Sequence, residues 1–412
     1  MKNKKLWLIF PAAAVFAFVL LLAVGLILRP SPPNGLAVDD LGVLYWEGDD
    51  RASSYTVDID GKSYTTDVWY MDIFDITDEY KTYTVTVTAK GFLGFKRAKT
   101  ISYDLPALPE DAFIFGLRDD EKSFIVALNP DVAVSGKVII PSSHDGMPVE
   151  SVALYGFANR QDLTSVFIPD SVTRISSYAF CDNTSLKKVR LSQRLTSIGN
   201  ESFRSCSSLK DILLPMGLVE IGREAFLKCT SLEHVSLPTS LRALGDNVFG
   251  QCGDLIFYVP NTIHNMGRYA ISGLTAFIDG DQIPSSYNLP VNCPTVSGST
   301  STYIQCENRL INCTFDGEGN DRYLSSIKLT ELKGSFARRG LYGGKPYRRG
   351  YKFLGWTTKI NGKVPLYTAE DLWVISEGSH TWPFSPGSNP KVIIPYGTTL
   401  YPIWEKIKTY DK

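Results

Sequence analysis

Five phenylalanines, Phe157, Phe180, Phe203, Phe226 and Phe249, stand 23 residues apart. Leu163, Leu186, Leu209, Leu232 and Leu255 keep the same period, as do Ile175, Ile198, Ile221 and Leu244. Val166, Val189, Ile212 and Val235 form another row, and Ile168, Leu191, Leu214 and Leu237 one more. Several apolar rows at one period, within the roughly 20–29 residues of leucine-rich coils, constrain this segment to a solenoid. One coil of that length cannot cover its own apolar side, so stacked neighbours must share a core. Within a repeat, Val-x-Ile-Pro reads as a short strand, ended by a residue that cannot donate to the ladder. Ser-Ile-Gly reads as a turn, and Arg-Glu-Ala-Phe as a brief helical turn that drops Phe inside. Cys-x-Ser-Leu brings the chain back to the strand.

The stretch Ile221-Gly222-Arg223-Glu224-Ala225-Phe226-Leu227-Lys228-Cys229-Thr230-Ser231-Leu232 resembles the BspA-type leucine-rich repeat. Val138-Ile139-Ile140-Pro141 and Gly146-Met147-Pro148-Val149 resemble that family's opening coil. With caps, the expected solenoid covers 108–290. The resemblance implies an extracellular binding module without catalysis. Phe257-Tyr258-Val259-Pro260 comes one residue early, which predicts fraying toward a cap.

The N-terminus points to export. Residues 1–5 carry Lys2, Lys4 and Lys5, and the uncharged stretch 6–28 follows, closed by Arg29. It is long enough to span a bilayer as a helix, and the lysines place the tail in the cytoplasm. The expectation is a single-pass membrane protein with the C-terminal bulk outside. A cleaved signal peptide, giving a secreted protein, is the alternative.

Pro30, Pro32 and Pro33 make 29–35 a stiff linker. Beyond it, Val43-Leu44-Tyr45-Trp46, Tyr55-Thr56-Val57-Asp58-Ile59 and Tyr83 to Ala89 alternate with period two, and Asp60-Gly61 is a hairpin signal. Short strands of this kind predict a β-sandwich. Trp46 and the Tyr83-x-Val85-x-Val87-x-Ala89 run make 36–104 resemble a fibronectin type III module. The Pro-, Ser- and Thr-rich stretch around 291–310 reads as a second linker. In 311–408, Arg349-Gly350-Tyr351-Lys352-Phe353-Leu354-Gly355-Trp356 resembles the internalin-type B-repeat, also called the Listeria–Bacteroides repeat, which implies a small β-grasp-like domain. The expected fold class is therefore multidomain and mainly β: a transmembrane helix, a β-sandwich, a leucine-rich repeat solenoid and a small β-grasp-like domain.

Catalytic chemistry has little to work with. No nucleophile elbow, zinc-protease motif or phosphate loop occurs, and the four histidines lie in different segments. The chain is expected not to be an enzyme and to need no cofactor or metal. A net charge of −1 argues against a basic nucleic-acid binder. Cys206, Cys229 and Cys252 share the 23-residue period and should stack as a ladder of small buried groups, with disulfides between coils as the alternative. Cys181 sits two positions early, with Thr184 read as occupying the ladder slot in that coil. Seven cysteines leave at least one thiol unpaired within a single chain. Asn183-Thr184-Ser185, Asn200-Glu201-Ser202 and Asn312-Cys313-Thr314 satisfy the glycosylation pattern.

With Val and Ile facing inward, the x residue of each Val-x-Ile-Pro strand faces outward. Phe167, Arg190, Leu213, Ser236 and Tyr258 form that outer row, beside Ser165, Lys188, Asp211 and His234. Phe167, Arg190, Leu213, His234 and Tyr258 are the expected partner-binding residues, because large apolar groups with an arginine have the composition of an interface hot spot. Scattered surface apolars, or cover by the chain's own linker, are the alternatives. The expected function is a membrane-anchored extracellular adhesion protein whose solenoid contacts a protein or glycan. A structural cell-envelope component, or an accessory subunit of a surface enzyme, is the alternative.

Overall fold

The computed structural model describes residues 29–91, 94–252, 255–260, 262–270, 275–279, 309–316, 323–328, 348, 350–360, 363, 365, 372–374, 392–394 and 399–409. The hydrophobic stretch 6–28 and the expected linker 291–310 lie outside the described residues, apart from the last two linker positions. Among the described residues there is no α-helix, and none is long and apolar enough to cross a membrane. The chain divides into two compact units, Met1–Ala107 with Ile407–Lys412, and Leu108–Lys406.

The first unit carries seven strands in two antiparallel sheets. Asn34–Val38, Val43–Glu47 and Tyr70–Asp72 form one, with Val43–Glu47 in the middle. Lys62–Thr66, Ala52–Ile59, Thr82–Gly91 and Lys96–Asp104, in that order, form the other. The period-two pattern is realised: Tyr55, Val57 and Ile59 are buried opposite Ala89, Val87 and Val85. Asp60 and Gly61, both with positive φ, close the expected hairpin. Trp46 is buried with its ring 5.2 Å from Tyr55, and the buried Tyr83 donates its hydroxyl to the Glu79 carbonyl at 3.0 Å.

The second unit is built on the solenoid. Gly136–Ile139, Leu163–Phe167 and Lys188–Arg190 pair in parallel as the first sheet. Asp211 and then His234–Ser236 continue the same row of the repeat. Register advances one coil at a time: Val166 lies beside Val189, Phe167 beside Arg190. His234–Ser236 pairs in turn with Ile256–Val259 and Thr275–Asp279, and that sheet continues into Arg309–Asp316, Tyr323–Lys328, Thr399–Lys406 and Tyr351–Thr357. Trp356 is buried there, with the Phe353 ring against it at 5.1 Å.

Ser-Ile-Gly is not a plain turn. Arg174–Ile175, Ser197–Ile198, Glu220–Ile221, Ala243–Leu244 and Asn265–Met266 are strands of a second parallel sheet. At its other end this sheet takes Met147–Val152, Phe124–Leu128 and Phe113–Leu117. Four of the five strands are followed by a glycine, Gly199, Gly222, Gly245 and Gly267, where each coil touches the one before it. A Cβ on Gly222 would sit 2.6 Å from the Asn200 amide nitrogen, and one on Gly245 2.3 Å from that of Arg223.

The expected helical turn before Phe is also absent. In its place each coil bends at two left-handed residues four apart: Tyr178 and Asp182, Glu201 and Ser205, Glu224 and Lys228, Asn247 and Gln251. Left-handed backbone is unfavourable for residues with a Cβ. It is sustained here because the amides of the bend residues and of the Phe between them point along the solenoid axis, as Tyr178 N does to Asn200 O and Asp182 N to Arg204 O. Phe180 N donates to Ser202 O at 2.7 Å, Phe203 N to Ala225 O and Phe226 N to Val248 O, both at 2.8 Å. A helical turn would direct those amides into its own coil and leave the neighbour's carbonyls unpaired.

The core runs the length of the stack. Phe157, Phe180, Phe203, Phe226 and Phe249 are all fully buried, with successive centroids 5.1, 5.1, 5.3 and 5.2 Å apart. Cys181, Cys206, Cys229 and Cys252 are buried free thiols, so no disulfide joins these coils.

Candidate functional site

The outward row of the first sheet brings three of the five expected contact residues onto neighbouring coils, and their environments differ from the expectation. Phe167 does face away from Val166 and Ile168, yet it is only 6% exposed. The Arg190 guanidinium lies 4.7 Å over its ring, a cation–π contact. Arg190 is itself held: Nη1 donates to the Ile168 carbonyl at 2.7 Å and to Asp170 Oδ1 at 2.6 Å. Burial would raise the Asp170 carboxyl, but the Arg190 hydrogen bond and the Gln193 amide outweigh it and leave its pKa below the ordinary value. Leu213 is half-buried on the next coil, with no such fastening.

His234 is also half-buried, and burial pushes its pKa from 6.5 down to about 3, so the imidazole is neutral at physiological pH. It sits beside Asp211 in parallel register. Tyr258 continues the row, with its backbone paired to Ser236. Its side chain is outside the described residues.

Ser165 is fully buried, and Lys188, Asp211 and Ser236 are half-buried. No described residue of this outer face is therefore fully solvent-exposed. Strand alternation settled which way these side chains point. How much water they meet depends on what lies over the sheet, which alternation does not encode.

Arginines and acids line the left-handed bends, away from both sheets. Glu201 is buried and receives Arg204 and Arg223, each at 2.9 Å, and the Tyr178 hydroxyl at 2.8 Å. Arg204 also reaches Asp182 at 3.0 Å. Every acid in this cluster is neutralised by a neighbour, which suits joining coils more than holding a cation. No group of side chains among the described residues is placed to bind a metal ion. Of the sites matching the glycosylation pattern, Asn183 is fully buried and closed to modification.

The ladder slot in the coil of Cys181 belongs to Asn183, not Thr184. Cys206, Cys229 and Cys252 donate their thiols to the carbonyls of Phe180, Phe203 and Phe226 at 3.2, 3.1 and 3.0 Å. Asn183 Nδ2 makes the same bond to the Phe157 carbonyl at 2.8 Å. Counting back 23 residues from Cys206 was the signal for it.

Residues 150–277 match the family described as BspA type leucine rich repeat region, in six copies. The matched segment is the repeating part of the solenoid. Seven solved chains match this one, three of them as follows. The leucine-rich repeat protein of T. pallidum is 28% identical, over 42% of this chain and 86% of that one, with a TM-score of 0.35. A leucine-rich repeat protein from Bacteroides ovatus is 24% identical, over 43% and 59%, with a TM-score of 0.32. A leucine-rich cell surface protein from Faecalibacterium prausnitzii is 23% identical, over 53% and 58%, with a TM-score of 0.33. No curated protein matches the chain.

Proposed function

We propose that the protein is a membrane-anchored surface protein that binds an extracellular protein or glycan through its BspA-type solenoid. The stretch 6–28 supplies the anchor and holds the rest of the chain outside the cell. The first unit is a fibronectin type III-like spacer, a reading supported by its three strands packed against four and by the buried Trp46 and Tyr83. The strands around Trp356 form the B-repeat-like module.

The observation that carries the binding reading is the Arg190–Phe167 pair beside Leu213. A guanidinium fixed by three partners on a sheet face is pre-organised, so little side-chain entropy is lost when a ligand meets it. Phe167 and His234 then serve as the floor beneath the contact, and Tyr258 extends the row.

The test is capture of partners from the producing cell's envelope and from host extract by the full chain in detergent. The comparison is with Leu213→Ser combined with Arg190→Gln. Phe167 is left intact because its burial makes it a folding residue. Loss of the captured partner with an unchanged melting temperature supports this face. Undiminished capture moves the contact elsewhere on the protein, and capture of nothing by the wild type favours a structural envelope component.

A further inference from the structure

The solenoid's second sheet ends in an open edge. Phe113–Leu117 is the terminal strand, paired on one side only, antiparallel to Phe124–Leu128. Two bonds fix which of its backbone groups are used. Arg118 N donates to Ser123 O at 3.0 Å, and Asn129 N to Ala112 O at 2.9 Å. Hydrogen-bonded pairs alternate along an antiparallel ladder, so Ile114 and Gly116 also direct their N–H and C=O groups inward. Phe113, Phe115 and Leu117 direct theirs at the open edge.

Nothing in this strand discourages pairing. Natural edges are blunted with lysine, proline or a bulge, and Phe-Ile-Phe-Gly-Leu has none of these. Ile114 is 49% and Leu117 50% exposed. A Cβ placed on Gly116 would meet no atom within 4 Å.

We propose that this edge pairs with the same edge of a second copy of the chain, joining two solenoids cap to cap through one continuous sheet. A two-fold axis at Phe115 gives the register. Phe113 then lies opposite Leu117 of the second copy and Phe115 opposite Phe115, and each of the three pairs exchanges two backbone hydrogen bonds. On the outer face, Ile114 of each copy lies across Gly116 of the other. Large meets small twice, and the isoleucine fills the space the glycine leaves open. On the inner face the exposed Leu117 meets the partly buried Phe113. This self-complementarity is why a second copy fits better than an unrelated peptide, and it makes the interface isologous and closed. The cost in this register is Asp111 opposite Asp119, a like-charge pair just beyond the strand ends. Association therefore tightens as salt screens it.

The test is sedimentation equilibrium of the full chain in detergent from about 1 to 100 µM, a range that reveals association with a Kd of about 1 to 100 µM or tighter. The wild type should carry the protein mass of two copies, more so in high salt. Ile114→Lys places a charge over the facing glycine, and Leu117→Pro removes an edge-facing N–H that the hairpin does not use. Each should give one copy at the same melting temperature. As a register check, Ile114→Cys with Gly116→Cys should yield a covalent dimer on mild oxidation, since facing non-hydrogen-bonded positions come within disulfide reach. A monomeric wild type, a variant that stays dimeric while folded, or an absent cross-link overturns the proposal.

Discussion

Asn183 donates to the Phe157 carbonyl at 2.8 Å, across one coil of the solenoid, in the slot that later coils give to cysteine. Its Oδ1 also accepts from the Arg160 amide at 2.6 Å. The coil therefore needs a donor at this position, and the side chain's identity is secondary. Phe157, Phe180, Phe203 and Phe226 each present a buried carbonyl to this slot, where a lost partner costs about 1–3 kcal/mol.

Asn183→Ala should lower stability by about 2–4 kcal/mol, since it strands both the Phe157 carbonyl and the Arg160 amide. Asn183→Cys should cost less, because the thiol restores the bond to Phe157 as Cys206 does for Phe180. Urea unfolding of the three proteins measures the order. If Ala and Cys are equally destabilising, the donor role is wrong.

The thiol ladder makes the fold sensitive to alkali. Burial raises all four thiols above their ordinary value of 9.0, Cys181 to about 11 and Cys252 to about 12, with Cys206 and Cys229 also well up. Folded, they stay protonated where unfolded thiols ionise. Above pH 9 the unfolded chain thus binds fewer protons, and stability should fall as pH rises from 9 toward 12, by up to about 1.4 kcal/mol per thiol per unit. Denaturant midpoints between pH 8 and 11 test this, and Cys252→Ser should flatten the slope. In the native state none of the four should react with a thiol reagent at neutral pH.

His234 sets the acid side. Its folded pKa of about 3 lies below the ordinary 6.5, so the unfolded chain binds the extra proton. Its contribution is fully present above pH 6.5 and is lost as pH falls toward 3, at up to about 1.4 kcal/mol per unit. His234→Gln should remove that part of the slope between pH 6 and 4. An unchanged slope would mean that His234 meets water in solution.

Much of the solenoid was legible because apolar rows repeat with the coil. Phe180, Phe203 and Phe226 occupy the same place in successive coils, and nothing but burial makes a large ring recur at one period. The second sheet was harder to see. Ser197–Ile198 is two residues long, and its pairing depends on a neighbour 23 residues away, so no local alternation announces it. The left-handed bends were equally silent: Tyr178, Glu201, Glu224 and Asn247 share a backbone conformation, yet a phenol, two carboxylates and an amide occupy it. In that row the neighbouring coils fix the conformation and the local sequence merely tolerates it. Phe167 is the corresponding case at the candidate site, where strand alternation gave direction and tertiary cover decided exposure.

Phe226 offers the sharpest test of how the stack shares its stability. Its ring is parallel to those of Phe203 and Phe249 within 1° and 4°, at 5.3 and 5.2 Å, and no part of it reaches solvent. Phe226→Ala should cost about 3–5 kcal/mol through lost burial and an unfilled cavity. In a solenoid each coil touches only its neighbours, so the loss should spread along the axis in both directions and fade with distance. Hydrogen exchange can follow this at the amides of the axial ladder. The Phe203 amide donates into the altered coil at the Ala225 carbonyl and the Lys228 amide donates out of it to the Gly250 carbonyl, both at 2.8 Å, and these two should lose most protection. Phe180 should lose less, and Val57 in the first unit's sandwich none. Uniform loss over all four would mean that the chain unfolds as one cooperative body. Unchanged protection at Phe203 would mean that the coils are held by their backbone ladders and the rings only fill space.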